Sequence, residues 1–170
     1  DGFKAAGFDG LALFSTAHTR LDGGSNQRNR PSTDVDIGVT ALQNAVVDIV
    51  NWVNHRGRPV LCRPKLLIVN PEDQFTAREI LQSEYKPGTA NNEINALRAE
   101  GISFMVDHYI SSADDWFLIC DEHDLNFVWE QQPTGGMEED FDSDTIKRKL
   151  VQGLAAGHGE WYGAYASTGA

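Results

Sequence analysis

Residues 61–85, LCRPKLLIVNPEDQFTAREILQSEY, constrain the fold more than any other part of the chain. The apolar run Leu66–Val69, led in by Lys65, is too short for a helix and lies between Pro64 and Pro71. A buried strand fits both facts, because the prolines interrupt regular structure on either side of a run that can fill both faces of a sheet. After Pro71, Glu72 and Asp73 suit the positive end of a helix, and Phe75, Ala77, Ile80 and Leu81 share one face of it. The unit therefore reads strand, Asn-Pro turn, amphipathic helix. None of its side chains is strongly reactive, so what it carries is architecture.

The strongest helix signal precedes it. Leu42, Ala45, Val46, Ile49, Val50 and Val53 recur at three- and four-residue steps, which predicts a helix over 39–56. Thr40 with Gln43 fits a capping box, and Gly57 followed by Pro59 fits a stop. Downstream, 102–109, 116–120 and 125–130 read as strands, and their short separations predict an antiparallel meander rather than a βαβ crossover. Residues 1–33 read as irregular, with the loop DGGSNQRNRP at 22–31. In the last forty residues, Ile146, Leu150, Val151 and Leu154 fit a helical stripe. Yet Gly153, Gly157 and Gly159 would each cost about 1 kcal/mol inside a helix, and long strands with a bulge near the glycines fit equally.

A chain of 170 residues makes one domain, or one domain with a lobe. It opens on Asp1 rather than Met, which fits a processing site or the edge of a longer sequence. No apolar run approaches the roughly 20 residues that span a bilayer, and no signal peptide is recognisable, so no membrane partner is expected. The net charge of −11 repels phosphate and argues against general nucleic-acid binding. Cys62 and Cys120 belong to no C-x-x-C motif and sit beside apolar runs, so two reduced, mostly buried thiols in a cytosolic setting are expected.

Chemistry-bearing residues are sparse. Asp121-Glu122-His123-Asp124 holds metal-ligand types, but four consecutive residues point in different directions and read as an exposed turn. His18, or His108 beside Asp107, could serve an acid–base role in a small α+β hydrolase. No H-E-x-x-H, G-x-S-x-G, Walker loop or G-x-G-x-x-G accompanies them, and a His following Ser15-Thr16 reads as a structural hydrogen-bonder. The run 138–144, with five carboxylates, reads as solvated surface. Trp52, Trp116, Trp129 and Trp161 read as packing residues. Asn91, Asn92 and Asn95 are uncharged donors and acceptors, suited both to turns and to contacts between identical copies.

Taken together, several segments resemble the major capsid proteins of tailed bacteriophages, in particular the Mu-like major head subunit group. They are Leu13-Phe14-Ser15-Thr16 with His18, the unit at 66–83, the Asn91/Asn95 loop, Trp116-Phe117-Leu118 and the terminal Ser167-Thr168-Gly169-Ala170. The resemblance implies an α+β fold of the Hong Kong ninety-seven phage capsid type, shared with encapsulin shells, and it favours strands in the last forty residues. It implies an axial domain, a mixed sheet with flanking helices, over 34–130. Peripheral-domain strands follow over 131–170, with 1–33 joining the two, while an N-terminal arm, extended loop and spine helix would precede Asp1. The implied function is structural: copies assemble as pentamers and hexamers into an icosahedral shell around the packaged DNA. Portal and scaffold proteins are the implied partners, the virion the implied location and the host cytoplasm the place of assembly. No enzyme activity, catalytic residue, cofactor or metal is expected, and Asn91, Asn92 and Asn95 become candidate subunit contacts at the axial tip. An encapsulin-like compartment is the alternative within the same fold.

Overall fold

A computed structural model describes residues 2–4, 6–7, 9–86, 93–140 and 142–170. The chain divides into two compact units, one of residues 1–124 with 160–170, the other of residues 125–159. The first is built on a four-stranded mixed sheet flanked by short helices, an α+β architecture. In chain order it contains α1 (Val39–Val50), β1 (Pro64–Val69), a 3-10 turn (Pro71–Asp73), α2 (Gln74–Gln82), α3 (Ala96–Ala99), β2 (Ser103–Val106), β3 (Trp116–Cys120) and β6 (Ala164–Ser167). The second unit is an antiparallel pair, β4 (Leu125–Asp140) and β5 (Thr145–His158).

The sheet runs β2-β1-β3-β6. β1 is central, as its unbroken apolar run demands, with Leu67 and Val69 fully buried. It pairs antiparallel with β3, Leu67 facing Leu118 and Val69 facing Trp116, and β3 pairs in turn with β6. With β2 it is parallel, Leu67 opposite Phe104. The meander expected of 102–109, 116–120 and 125–130 is wrong: β2 and β3 flank β1 instead of pairing with each other, and β4 belongs to the other sheet. The 33 residues between β1 and β2 hold α2 and α3, enough chain to make a crossover, and β3 then crosses to the far side of β1.

Helix α1 is shorter than its apolar pattern. Gly38, not Thr40, is the N-cap, and no side chain caps the helix. At the other end Asn51 donates its amide back to Val47 O at 2.9 Å. Trp52 leaves the helical path to bury its ring, and its indole N–H donates to Arg28 O at 2.8 Å. Leu42, Ala45 and Ile49 form the buried face, while Val50 is exposed and Val53 bridges Pro59. In α2, Ala77, Ile80 and Leu81 are buried but Phe75 faces outward.

The first and last parts of the chain meet at Asn29, which has no exposed surface. Its side-chain amide donates to the carbonyls of Leu13 (2.7 Å), Trp161 (3.1 Å) and Ala164 (3.0 Å). Its Oδ1 accepts from Ser15 N at 2.9 Å, and its backbone carbonyl accepts from Ala166 N at 3.1 Å. Beside it His18, 1% exposed, lies parallel to the Trp161 ring with centroids 4.5 Å apart. One ring nitrogen of His18 meets Asp9 at 2.6 Å and the other meets Asn29 Oδ1 at 3.1 Å, so the histidine is a structural hydrogen-bonder.

The C-terminal residues continue the stitching. Ser167 Oγ donates to Val35 O at 2.9 Å and accepts from Val35 N at 3.0 Å, and Ala170 N donates to Asp36 at 2.9 Å. Arg30 is paired with Asp34 and also donates to Thr168 Oγ1 at 3.0 Å. Gly169 has φ +71°, and a Cβ there would stand 2.2 Å from that of Asp114, so only glycine fits.

Replacing Asn29 by Ala strands several buried backbone groups at once. It should destabilise the first unit by about 3 kcal/mol or more, since each unmet buried group costs roughly 1–3 kcal/mol. Chemical denaturation followed by Trp fluorescence measures this. A loss under about 1 kcal/mol would mean that water replaces the amide freely.

Candidate functional site

The residues singled out in the sequence do not gather into a catalytic centre. His18 is consumed by Asp9, Asn29 and Trp161. Asp107 accepts from Tyr109 N at 2.9 Å in the loop after β2, the loop that also contains His108. Asp121–Asp124 form the turn between β3 and β4, two strands of different sheets. Within it Asp121 accepts from Arg63 N at 3.1 Å and Asp124 from Glu160 N at 3.1 Å. The Arg63 N–H holds the Asp121 carboxyl below the usual carboxylate range. Among the described residues, no group of three or more His, Cys, Asp or Glu side chains could hold a metal ion.

Asn91 and Asn92 lie outside the described residues. Asn95 is buried, and its amide group is used inside the unit. As N-cap of α3 it accepts from Leu97 N at 3.2 Å, and it donates to Ile80 O at 2.6 Å and Ser83 O at 3.1 Å. It thus ties the end of α2 to the start of α3. Tyr85 forms a β-bridge with Ile94.

The second unit offers a different kind of site. Two bulges break the ribbon register, one between Trp129 and Gln131, the other between Gln131 and Thr134, with Gln131 paired to Gly153. Bulges reset which β4 residues share a face with β5. In the register that results, Phe127 pairs with Ala156, Trp129 with Leu154, Gly135 with Leu150, Met137 with Arg148 and Glu139 with Ile146. Since side chains alternate between faces, all of these lie on one side. That side carries Phe127, Trp129, Met137, Ile146, Leu150 and Leu154, every one exposed, Leu150 at 69%. Phe127 and Trp129 stack edge to face at 5.3 Å.

The opposite side is mixed: Glu138 pairs with Lys147 and Gly136 with Lys149 toward the turn, while Val128 pairs with Ala155 and Thr134 with Val151 nearer the base, both valines exposed. An opposite-charge pair across a ladder stabilises it by a few tenths of a kcal/mol, up to about 1. A two-stranded ribbon is marginal in water by itself, and one whose exposed apolar side chains gather on one face, here interrupted by Glu139, Arg148 and Gln152, is suited to being covered. Fourteen residues at about 3.3 Å each give a face roughly 45 Å long and about 10 Å wide, on the order of 450 Å². In the sequence, Ile146, Leu150, Val151 and Leu154 read as a helical stripe, so this face was not legible there. The bulges that keep the β4 aromatics on the same side gave no signal of their own.

Comparison with known proteins agrees with a structural reading. A family model described as phage capsid protein matches residues 2–167, nearly the whole chain and both compact units. No curated protein matches.

Asn95→Asp preserves the acceptor for Leu97 N but removes both donors. It should cost about 1–3 kcal/mol, the penalty for leaving buried carbonyls unpaired. Thermal denaturation at neutral pH checks this, and an unchanged midpoint would place the Asn95 amide in solvent.

Proposed function

Because the chain belongs to the phage capsid protein family, structural proteins of the virion, we propose that it is a major head subunit of the Hong Kong ninety-seven type, within the Mu-like group. Copies associate as pentamers and hexamers and close into an icosahedral shell around phage DNA. Assembly takes place in the host cytoplasm, with portal and scaffold proteins as partners. The mixed-sheet unit, residues 1–124 with 160–170, takes the axial role, and residues 125–159 supply peripheral strands. This divides the chain along its compact units rather than at residue 130. The loop 86–95, anchored through Asn95, contacts neighbouring copies through Asn91 and Asn92.

The observation that carries this reading is the exposed apolar face of the β4–β5 ribbon. Its size suits a shell. Only the apolar part of a face on the order of 450 Å² contributes at roughly 25 cal/mol/Å², since Glu139, Arg148 and Gln152 share it, and association itself costs about 4–15 kcal/mol. One such contact is weak and reversible, so errors anneal, while many of them close a durable particle. The net charge of −11 adds a salt-dependent repulsion that apolar contacts must overcome.

Leu150→Asp with Leu154→Asp tests it. The double variant should keep the wild-type circular dichroism and thermal midpoint of the mixed-sheet unit. Its self-association in sedimentation velocity should weaken at least about tenfold, since two exposed apolar side chains contribute roughly 1.4 kcal/mol or more between them. Self-association equal to wild type at both low and high salt would remove the ribbon from assembly.

A further inference from the structure

A two-stranded ribbon has two outer edges, and those of β4 and β5 differ. β4 is interrupted by two bulges and carries Pro133, which has no N–H to offer a further strand. Bulges and prolines are among the means by which a sheet edge is kept from pairing. β5 has neither. It runs for 14 residues without proline, and the extra residues at both bulges belong to β4: 129 to 131 on β4 spans 154 to 153 on β5, and 131 to 134 spans 153 to 151. Among the described residues no third strand joins the ribbon, and all of β5 except Gly153 and His158 is exposed. Its outer edge therefore offers an unbroken row of backbone donors and acceptors.

The side chains of β5 also match themselves when the strand is reversed. Opposed residues of an antiparallel pair share a face, so a two-fold axis through one residue, perpendicular to the sheet, keeps two apolar faces on the same side. Centred on Leu150, such an axis sets Leu150 against Leu150 of a second copy, Ile146 against Leu154 and Arg148 against Gln152. On the other face it sets Lys149 against Val151 and Lys147 against Gly153. Every large apolar side chain on the apolar face of β5 meets another, and no like charges are opposed. Neighbouring registers lose this. An axis at Lys149 opposes two lysines, one at Val151 sets Leu150 against Gln152 and Arg148 against Leu154, and one at Gln152 sets Ile146 against His158. Charge favours the same strand. β5 carries Lys147, Arg148 and Lys149 and no carboxylate, in a chain of net charge −11, so two acidic subunits repel least along it.

We propose that β5 pairs antiparallel with β5 of a second copy, centred on Leu150, so that two ribbons form one four-stranded sheet in the order β4-β5-β5-β4. The inference rests on the reading of the chain as a shell subunit and adds which edge meets which. An isologous pairing closes at two copies and cannot build a ring, so this contact lies on a two-fold between subunits. Four strands with an apolar face are stable where two are marginal. The ladder over 145–155 supplies about ten backbone hydrogen bonds, as many as a typical protein interface carries. The strip it covers, roughly 36 Å by 10 Å, is on the order of 360 Å² on each copy, against about 800 Å² for a stable pair. The pairing is therefore reversible between free subunits and is held in the particle by the contacts around it.

Cysteine crosslinking of the full chain tests the register, in assembled particles and in concentrated subunits. Leu150 is 69% exposed, so L150C leaves the fold intact, and the buried Cys62 and Cys120 are told apart by peptide mapping. Mild oxidation of L150C should give a dimer joined through position 150, since opposed Cα atoms stand about 4.5–5.5 Å apart, within disulfide reach. I146C mixed with L154C should give the mixed dimer. I146C alone, whose copies lie about 26 Å apart along the strands, should give at least about fivefold less dimer than L150C. No dimer through position 150 in either sample, or I146C joining itself as readily as L150C, would overturn the proposal. Hydrogen exchange on the same particles separates this failure from that of the shell reading. Slowed ribbon amides without the crosslink remove only the β5 pairing, and unslowed amides remove both.

Discussion

Asn29 is the constraint on which the first unit depends. Its side chain meets Leu13 on one side and Trp161 and Ala164 on the other, joining segments more than 130 residues apart in sequence. A buried amide suits this position because its two N–H hydrogens, one shared between two carbonyls, and its oxygen make these bonds without carrying charge, so burial costs little once each partner is present. The neighbouring stack of His18 on Trp161 and the pairing of His18 with Asp9 fill the space around it. With that node formed, β6 lies against β3, and Ser167, Thr168 and Ala170 can reach Val35, Arg30 and Asp36. The sheet behind them has an ordinary apolar core; the node decides which segment closes its edge.

The second unit follows the opposite logic. The sheet unit pairs its buried Asn29, His18, Asn95 and Ser167 side chains internally and buries Leu67, Val69, Trp116 and Leu118. The ribbon has no layer of its own to cover Phe127, Trp129, Leu150 and Leu154. Hydrophobic surface without an internal partner is costly for a solitary chain and useful for one that meets many copies of itself. In the proposed reading the labour is divided, one unit specifying a stable fold and the other supplying adhesion, and the family match spans both units.

The sequence made local structure legible where apolar pattern and breakers agreed. β3 matches the expected 116–120 at both ends, and β1 extends the expected run only back to Pro64. The strand reading of the last forty residues also holds, with a bulge opposite Gly153. What failed was non-local. Strand order cannot be read from spacing, and the parallel β1–β2 pair needed knowledge that α2 and α3 pack as a crossover. The periodicity of Val50 and Val53 continued beyond the point where Trp52 found a better site in the core. Asn29 sat unnoticed in a polar loop because its partners lie far away along the chain. The exposed face was not visible: in β5 Ile146, Leu150 and Leu154 alternate with Arg148 and Gln152 and read as a helical stripe with Val151, and β4 needs two bulges to match them.

The central claim is that the ribbon's apolar face is buried between copies in the assembled head. Hydrogen–deuterium exchange of 125–140 and 145–158, in the dissociated subunit and in the particle, tests it most directly. Ribbon amides should slow by about tenfold or more on assembly, while those of β3 and β6, already protected by the fold, change little. Ribbon exchange as fast in the particle as in the free subunit would contradict the account.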